Sequence, residues 1–170
     1  MDKTRLFIIS GPASVGKTTV ARILAAHLTE RTAIVDGDDV SKFWCKDCDN
    51  EKMFLKNSRS LINNFLKEGI DVIFTHALLP FQIDEIIKDS TTKDFEEVKV
   101  VFLTADLKTL QLRNRTRSVE DHTGVDLASD IEKFKDKSID KKLVLDNSQL
   151  SLTQTAKTII EDDLFIIKKR

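Results

Sequence analysis

The residues whose types and spacing point most directly to chemistry form a loop at 11–18, which reads Gly-Pro-Ala-Ser-Val-Gly-Lys-Thr. This loop fits the pattern G-x-x-x-x-G-K-[ST] at every fixed position. Successive backbone N–H groups wrap a polyphosphate, and glycines at Gly11 and Gly16 remove the Cβ atoms that would block its approach. Lys17 can reach the β- and γ-phosphates, and the Thr18 hydroxyl can ligate Mg²⁺. The loop therefore predicts binding of a nucleoside triphosphate with magnesium.

The segments on either side of the loop supply the strand and the helix that such a site requires. Positions 5–10 are apolar and rich in β-forming residues, and apolar residues recur at helical spacing over 20–28. The first turn of this helix presents unpaired N–H groups and a positive dipole end to the phosphates. The predicted nucleotide contacts in the loop and this turn are Gly11, Ala13, Ser14, Val15, Gly16, Lys17, Thr18 and Thr19.

Two carboxylates, Asp36 and Asp38, stand at the end of a short predicted strand at 31–36. Phosphoryl transfer needs a metal that neutralises developing charge and a group that deprotonates the attacking hydroxyl. Two acids in this place can divide that work, with Asp36 holding Mg²⁺ through water and Asp38 accepting the proton. The alternative is that Asp38 or Asp39 only caps the helix that follows.

Three arginines, Arg113, Arg115 and Arg117, precede a polar segment that contains glycine. Guanidinium groups make two-pronged contacts with phosphate, so these side chains are candidates to cover the transferring phosphoryl group when a flap closes. The alternative is a solvated basic face. Asn147, after the last predicted strand, is a candidate to border the nucleotide base, and an ordinary capped turn is equally consistent with that position.

An alternation of apolar strands and amphipathic helices positions these residues. The predicted strands are 5–10, 31–36, 71–76, 97–104 and 142–146, and the later predicted helices are 51–68, one that begins at Pro80, 107–117, 127–134 and 152–167. This alternation implies right-handed crossovers and a doubly wound parallel sheet of the α/β class. Ligands of such sheets bind beyond the carboxyl ends of the strands, which is where the candidate residues lie.

Composition limits the classes of function. The chain has 170 residues, 41% of them hydrophobic, and a net charge of −1, so no global field attracts nucleic acid or an anionic membrane. No apolar run approaches the roughly 18 residues of a membrane span, and a cytoplasmic location is predicted. Cys45 and Cys48 form a C-x-x-C pair with no second pair at zinc-ligand spacing, which favours reduced thiols over a redox pair or a metal site.

Four features, in this order and spacing, resemble the small-molecule kinases of the phosphate-loop superfamily. They are the loop at 11–18, Asp36-Gly37-Asp38, the arginines of 113–117 and the Asp146-Asn147-Ser148 turn. The groups they resemble most are gluconate kinase, shikimate kinase, chloramphenicol phosphotransferase and the nucleoside monophosphate kinases. The resemblance implies a three-layer sandwich whose five-stranded parallel sheet has the order 2-3-1-4-5. It also implies one domain over 1–170, with a substrate-binding segment at 39–58 and a lid at 113–137.

The resemblance further implies Mg²⁺-dependent transfer of the γ-phosphoryl group of ATP to a hydroxyl of a small molecule, by a monomer or dimer. Asp36 would match the magnesium-side carboxylate and Asp38 the substrate-side carboxylate or base. Arg113 would lie near the adenine, and Arg117 would be the lid arginine. The predicted catalytic residues are then Lys17, Asp38 and Arg117.

The phosphoryl acceptor is the least defined part of this prediction. Arg59 is the candidate contact for a substrate anion, Trp44 is a candidate to stack on a ring, and His76 either contacts substrate or fills the edge of the core. A nucleotide kinase is the close alternative, although such an enzyme places paired arginines around the acceptor phosphate and Arg59 stands alone between 40 and 70. The sequence has no guanine-binding signature, which argues against a GTPase switch. It also has no pattern typical of a basic groove, which argues against a nucleic-acid kinase.

Overall fold

The computed structural model describes residues 4–28, 31–88, 97–116 and 124–169, and a central β-sheet runs through them. Its strands are β1 (Arg5–Ser10), β2 (Thr32–Asp36), β3 (Asp71–Thr75), β4 (Glu97–Thr104), β5 (Val144–Asp146) and β6 (Ile166–Lys169). The first five strands are parallel and follow the order β2-β3-β1-β4-β5. The predicted fold class and strand order are therefore confirmed.

Helices cover both faces of this sheet. They are α1 (Lys17–His27), α2 (Gly37–Val40), α3 (Asn50–Lys67), α4 (Pro80–Ile87), α5 (Leu107–Arg115), α6 (Leu127–Lys133) and α7 (Leu152–Glu161). Alternate residues of β1 divide between two apolar cores, because successive strand side chains point to opposite faces. Leu6 and Ile8 pack with residues of α3 and α4, whereas Phe7 and Ile9 pack with residues of α1 and α7. None of the helices in the described part of the chain has the length and apolar character that crossing a membrane requires.

The end of the described chain differs from the prediction. The helix predicted over 152–167 ends at Glu161, and residues 166–169 form β6, which pairs antiparallel with β4. A buried lysine fixes this end, because Lys99 Nζ donates to the carbonyls of Ile159, Ile160 and Asp162 at 3.2, 2.7 and 3.2 Å. A cation at the negative end of a helix satisfies carbonyls that the helix leaves unpaired.

The segment between β2 and α3 is mostly loop. Val40 is the last residue of the four-residue helix α2, and α3 begins at Asn50. The pattern of 40–54 predicts short helical pieces, but between these two helices the chain is irregular. A disulfide joins Cys45 to Cys48 within this loop. The prediction of two reduced thiols is therefore wrong for this structure. Trp44, beside the disulfide, is 96% exposed.

Candidate active site

The loop at 11–18 joins the carboxyl end of β1 to the first turn of α1, as predicted. Gly11 has φ +137°, and a Cβ atom there would lie 2.3 Å from the carbonyl oxygen of Leu103 on β4. Gly16 has φ +103°, a backbone conformation that side-chain-bearing residues rarely adopt. Lys17 Nζ donates to the carbonyls of Gly11 and Pro12 at 2.8 and 2.9 Å, so the ammonium group lies over the loop. The two glycines are needed for the loop conformation itself.

Arg113 and Asn147 contact each other and the Val15 carbonyl of the loop. Arg113 Nη1 donates to the carbonyl of Val15 at 3.0 Å and to Asn147 Oδ1 at 2.9 Å, and Nη2 donates to the Asn147 carbonyl at 3.0 Å. Asn147 Nδ2 donates to the same Val15 carbonyl at 3.1 Å. Asn147 is fully buried, and desolvation lowers the pKa of Arg113. These side chains support the phosphate loop, while their contact with the nucleotide stays a prediction.

Helix α6 brings an acid onto the loop that sequence reasoning missed. Asp130 Oδ2 accepts from the Ala13 N–H at 2.7 Å, and Oδ1 lies 3.2 Å from Lys133 Nζ. The Asp130 side chain is only 9% exposed. The signal that could have found it is its place on the apolar stripe of α6, beside Leu127 and Ile131, which pack in the core on that face of the sheet. An acid on the buried side of an amphipathic helix indicates a specific partner.

Asp36 links the loop to the acids that follow β2. Thr18 Oγ1 donates to Asp36 Oδ2 at 3.0 Å, and Asp36 Oδ1 accepts from the backbone N–H of Asp38 at 3.1 Å. Asp36, rather than Asp38 or Asp39, is thus the N-cap of α2. This result removes the alternative in which Asp38 serves only as a cap.

The pair formed by Thr18 and Asp36 has the chemistry that Mg²⁺ prefers. Hydroxyl and carboxylate oxygens are hard ligands, and magnesium takes one or two of them from the protein and the rest from phosphate and water. No group of three or more His, Cys, Asp and Glu side chains able to hold a metal occurs in the described ranges. A two-oxygen arrangement beside a phosphate loop fits magnesium without such a cage.

Asp38 lies against His76, which follows β3. Their atoms Oδ1 and Nδ1 are 3.1 Å apart, and the side chains are 83% and 23% exposed, respectively. The adjacent His76 imidazole is the main cause that lowers the pKa of Asp38; partial burial opposes this shift, and the charges of Lys17 and Lys42 add to it. Asp38 is therefore ionised at neutral pH, as a proton acceptor must be.

One cavity of about 300 Å³ is lined by residues of the loop together with Asp38 and Asp130, whereas Asp36 is not among its lining residues. Its walls are formed by Ala13, Ser14, Gly16, Lys17, Thr18, Thr19, Asp38, Ala77, Val125 and Asp130. Arg59 lies elsewhere, in a groove of about 410 Å³ between α3 and α4 that shares no lining residue with this cavity. The predicted lid arginine, Arg117, lies outside the described residues, as does part of the predicted lid at 113–137.

Comparison with protein families and curated proteins gives two matches over most of the chain. Residues 8–140 match the family model described as AAA domain. The Holliday junction branch migration complex subunit RuvB of Mycoplasma genitalium is 30% identical over 169 residues, an alignment that covers 89% of this chain and 50% of RuvB. The chain thus spans about half the length of this curated relative.

Solved structures with the same fold include several kinases. A sugar kinase from Janibacter sp. HTCC2649 superposes with a TM-score of 0.68 at 18% identity, covering 95% of this chain and 96% of that one. The tunicamycin resistance protein of Deinococcus radiodurans gives 0.65 at 15% identity, with 92% and 94% covered. The APS kinase of Mycobacterium tuberculosis, in complex with AMPPNP and APS, gives 0.63 at 15% identity, with 96% and 98% covered. At these identities the likeness establishes a shared fold.

Proposed function

We propose that this chain, which belongs to the AAA domain family, is a P-loop kinase that transfers the γ-phosphoryl group of ATP to a hydroxyl of a small molecule. The observation that carries the proposal is the shared cavity, in which Lys17 and Thr18 of the phosphate loop face the Asp38 carboxylate. An in-line transfer to a hydroxyl needs two parts on one cavity. These are a loop that binds the triphosphate and an ionised acid that accepts the proton.

In this mechanism the phosphate loop binds the β- and γ-phosphates through its backbone N–H groups. Lys17 exchanges its contacts with the loop carbonyls for contacts with the phosphates, where its charge offsets the negative charge of the transferring group. Asp38 accepts the proton of the acceptor hydroxyl while the oxygen of that hydroxyl forms a bond to the γ-phosphorus. The bond from that phosphorus to the β,γ-bridging oxygen breaks, and ADP leaves with the electron pair.

Magnesium would be held by Thr18 Oγ1 and, through water, by Asp36. When bound, the ion supplies positive charge to the phosphates during transfer. Asp36 already accepts from Thr18 and from the Asp38 N–H, so it fixes both the metal-side hydroxyl and the backbone of the base. A magnesium requirement and the ATP preference are both part of the proposal.

The acceptor is proposed to enter beside the segment at 39–58, with closure completed by the lid at 113–137. Proteins of this fold are named for different acceptors, including a sugar and APS. Arg59 keeps its proposed role only for an acceptor long enough to reach from the Asp38 cavity to the α3–α4 groove. The cytoplasmic location, the monomer or dimer and the absence of a nucleic-acid partner stay predictions.

The experiment that tests the proposal is an ADP-formation screen with ATP and magnesium. The acceptors are sugars, nucleosides, nucleoside monophosphates and aminoglycoside and phenicol antibiotics, each run with wild-type protein and Lys17→Ala. Acceptor-dependent ADP release that Lys17→Ala lacks supports the proposal. Turnover with nucleoside monophosphates alone would replace the hydroxyl acceptor by a phosphate acceptor. ATP binding without turnover on any acceptor class would contradict a kinase and favour a nucleotide-binding switch.

A further inference from the structure

Among the described residues, the Asp38 carboxylate lies within hydrogen-bond distance of the His76 Nδ1 atom. This atom is buried, and among the described residues no well-aligned hydrogen bond satisfies it. Asp38 Oδ1 lies 3.1 Å away, short of ideal alignment. A buried N–H without an acceptor is unfavourable, and a small rotation of the exposed Asp38 carboxylate completes the bond. The geometry is that of a donor aimed at a movable acid.

Close packing restricts the movement of the His76 ring. It lies against the Cα of Gly37, where a Cβ atom would be 2.5 Å from His76 Cγ. On another side the ring of Phe54 packs with a centroid separation of 4.6 Å and an interplanar angle of 42°. The backbone N–H of His76 donates to the carbonyl of Ile9 at 3.3 Å, which ties the residue to the strand that leads into the phosphate loop. The imidazole is the rigid member of the pair.

Asp38, by contrast, is the member that needs to be held. Its side chain is 83% exposed and has other cations within electrostatic reach, Lys17 from α1 and Lys42 after α2. A proton acceptor works only when it lies within hydrogen-bond reach of the attacking hydroxyl, and small misplacements reduce the rate strongly. An exposed carboxylate without a fixed neighbour samples several rotamers.

We infer that His76 is a positioning residue for Asp38: it carries its proton on Nδ1, donates to Oδ1, and leaves Oδ2 for the acceptor hydroxyl. This inference rests on the proposed function, in which Asp38 is the base. It also resolves the two interpretations that the sequence leaves open for His76, since the residue neither touches the acceptor nor only fills the core. The pair acts on the transfer step, so its loss lowers kcat and leaves the KM for ATP nearly unchanged.

The test uses two amides that differ in where they can donate. His76→Asn places an N–H near the position of Nδ1, whereas His76→Gln places it near Nε2. We expect His76→Gln to lower kcat about tenfold with KM for ATP within about twofold, and His76→Asn to restore most of that loss. In an Asp38→Asn background, His76→Gln should have no further effect on kcat. Equal losses in the two amide variants would overturn the positioning role and leave His76 as a packing residue.

A second measurement does not depend on turnover. Nitrogen-15 NMR of the imidazoles, with His76 assigned by the signal that His76→Gln removes, should show the proton on Nδ1 in the wild type. Asp38→Ala should shift that signal, while Asp39→Ala, one residue further along, should leave it in place. A His76 ring protonated on Nε2 alone would overturn the inference. If instead Asp38→Asn retains wild-type kcat while the His76 tautomer is as expected, the proposed base is wrong and the pairing itself stands.

Discussion

The nucleotide half and the acceptor half of the candidate site are built in opposite ways. In the nucleotide half, comprising 11–18 and its supporting residues, Val15 and Asn147 are fully buried and the Val15 carbonyl accepts from both Asn147 and Arg113. In the acceptor half, comprising 37–59 and His76, Asp38 is 83% exposed at its side chain and Trp44 is 96% exposed. A rigid half suits a ligand common to many kinases, and an open half suits an acceptor that differs among them.

The largest effect is expected from removing the charge of Lys17 in the rigid half. Lys17→Ala should reduce ATP turnover by about 10³-fold or more, because the transferring phosphoryl group loses its nearest cation. Thermal unfolding should change little, since the two hydrogen bonds described above join the Lys17 ammonium group to carbonyls of its own loop. Lys157→Ala is the matched control, because that lysine pairs with Glu161 on the surface of α7 and lies outside the cavity. Turnover retained by Lys17→Ala would show that the loop is not the transfer site.

The second prediction concerns the base in the open half. Asp38→Asn should lower kcat by about 10²-fold, because the amide cannot accept the proton of the acceptor. Asp39→Asn, which removes an exposed acid at the next position, is the control. Steady-state kinetics with saturating ATP measure both. A rate for Asp38→Asn close to that of Asp39→Asn would remove Asp38 from the chemistry.

The third prediction concerns the stability of the nucleotide half. Asn147→Ala removes one of the two donors to the Val15 carbonyl and leaves one Arg113 N–H without its buried acceptor, and should lower the free energy of unfolding by about 1–3 kcal/mol. Gln149→Ala, in the same loop but exposed, should leave it unchanged. Denaturant unfolding monitored by circular dichroism gives both values. An unchanged midpoint for Asn147→Ala would mean that the loop does not depend on this support.

The smallest effect is expected at Trp44, an almost fully exposed side chain of the open half. Trp44→Ala should change the free energy of unfolding by less than about 0.5 kcal/mol, because almost none of the indole surface is buried. For an acceptor with a ring, the KM should rise about fivefold if the indole stacks on it. Met53→Ala, on the neighbouring helix, controls for general changes in this surface. A stability loss without a change in KM would assign Trp44 to folding.

The rigid half was the more predictable from sequence. The loop pattern requires glycine at Gly11 and Gly16, and the structure shows why, with positive φ at both and a strand carbonyl against the first. The parallel sheet followed from the alternation of strands and helices, while its strand order followed from the resemblance to known kinases. These features depend on local patterns that a sequence displays directly.

Other features depend on contacts between distant segments, which periodicity does not encode. The contact of Asp130 with Ala13 joins residues 117 positions apart. The apolar pattern of 152–167 is compatible with one continuous helix, and only the antiparallel pairing with β4 and the lysine beneath it set the end at Glu161. The place of Arg59 in a separate groove depends on how α3 packs against α4. The sequence alone does not show which partners these residues contact.

The close packing of His76 on Gly37 couples two positions that are 39 apart in the chain. An imidazole at position 76 leaves no room for a side chain at position 37, so Gly37 can be replaced only if residue 76 moves or becomes smaller. Among homologous proteins these two positions should therefore vary together, with larger residues at 37 accompanied by smaller ones at 76. Moving the turn that carries Asp38 into a homologous protein would then preserve its packing only if residues 37 and 76 were moved together.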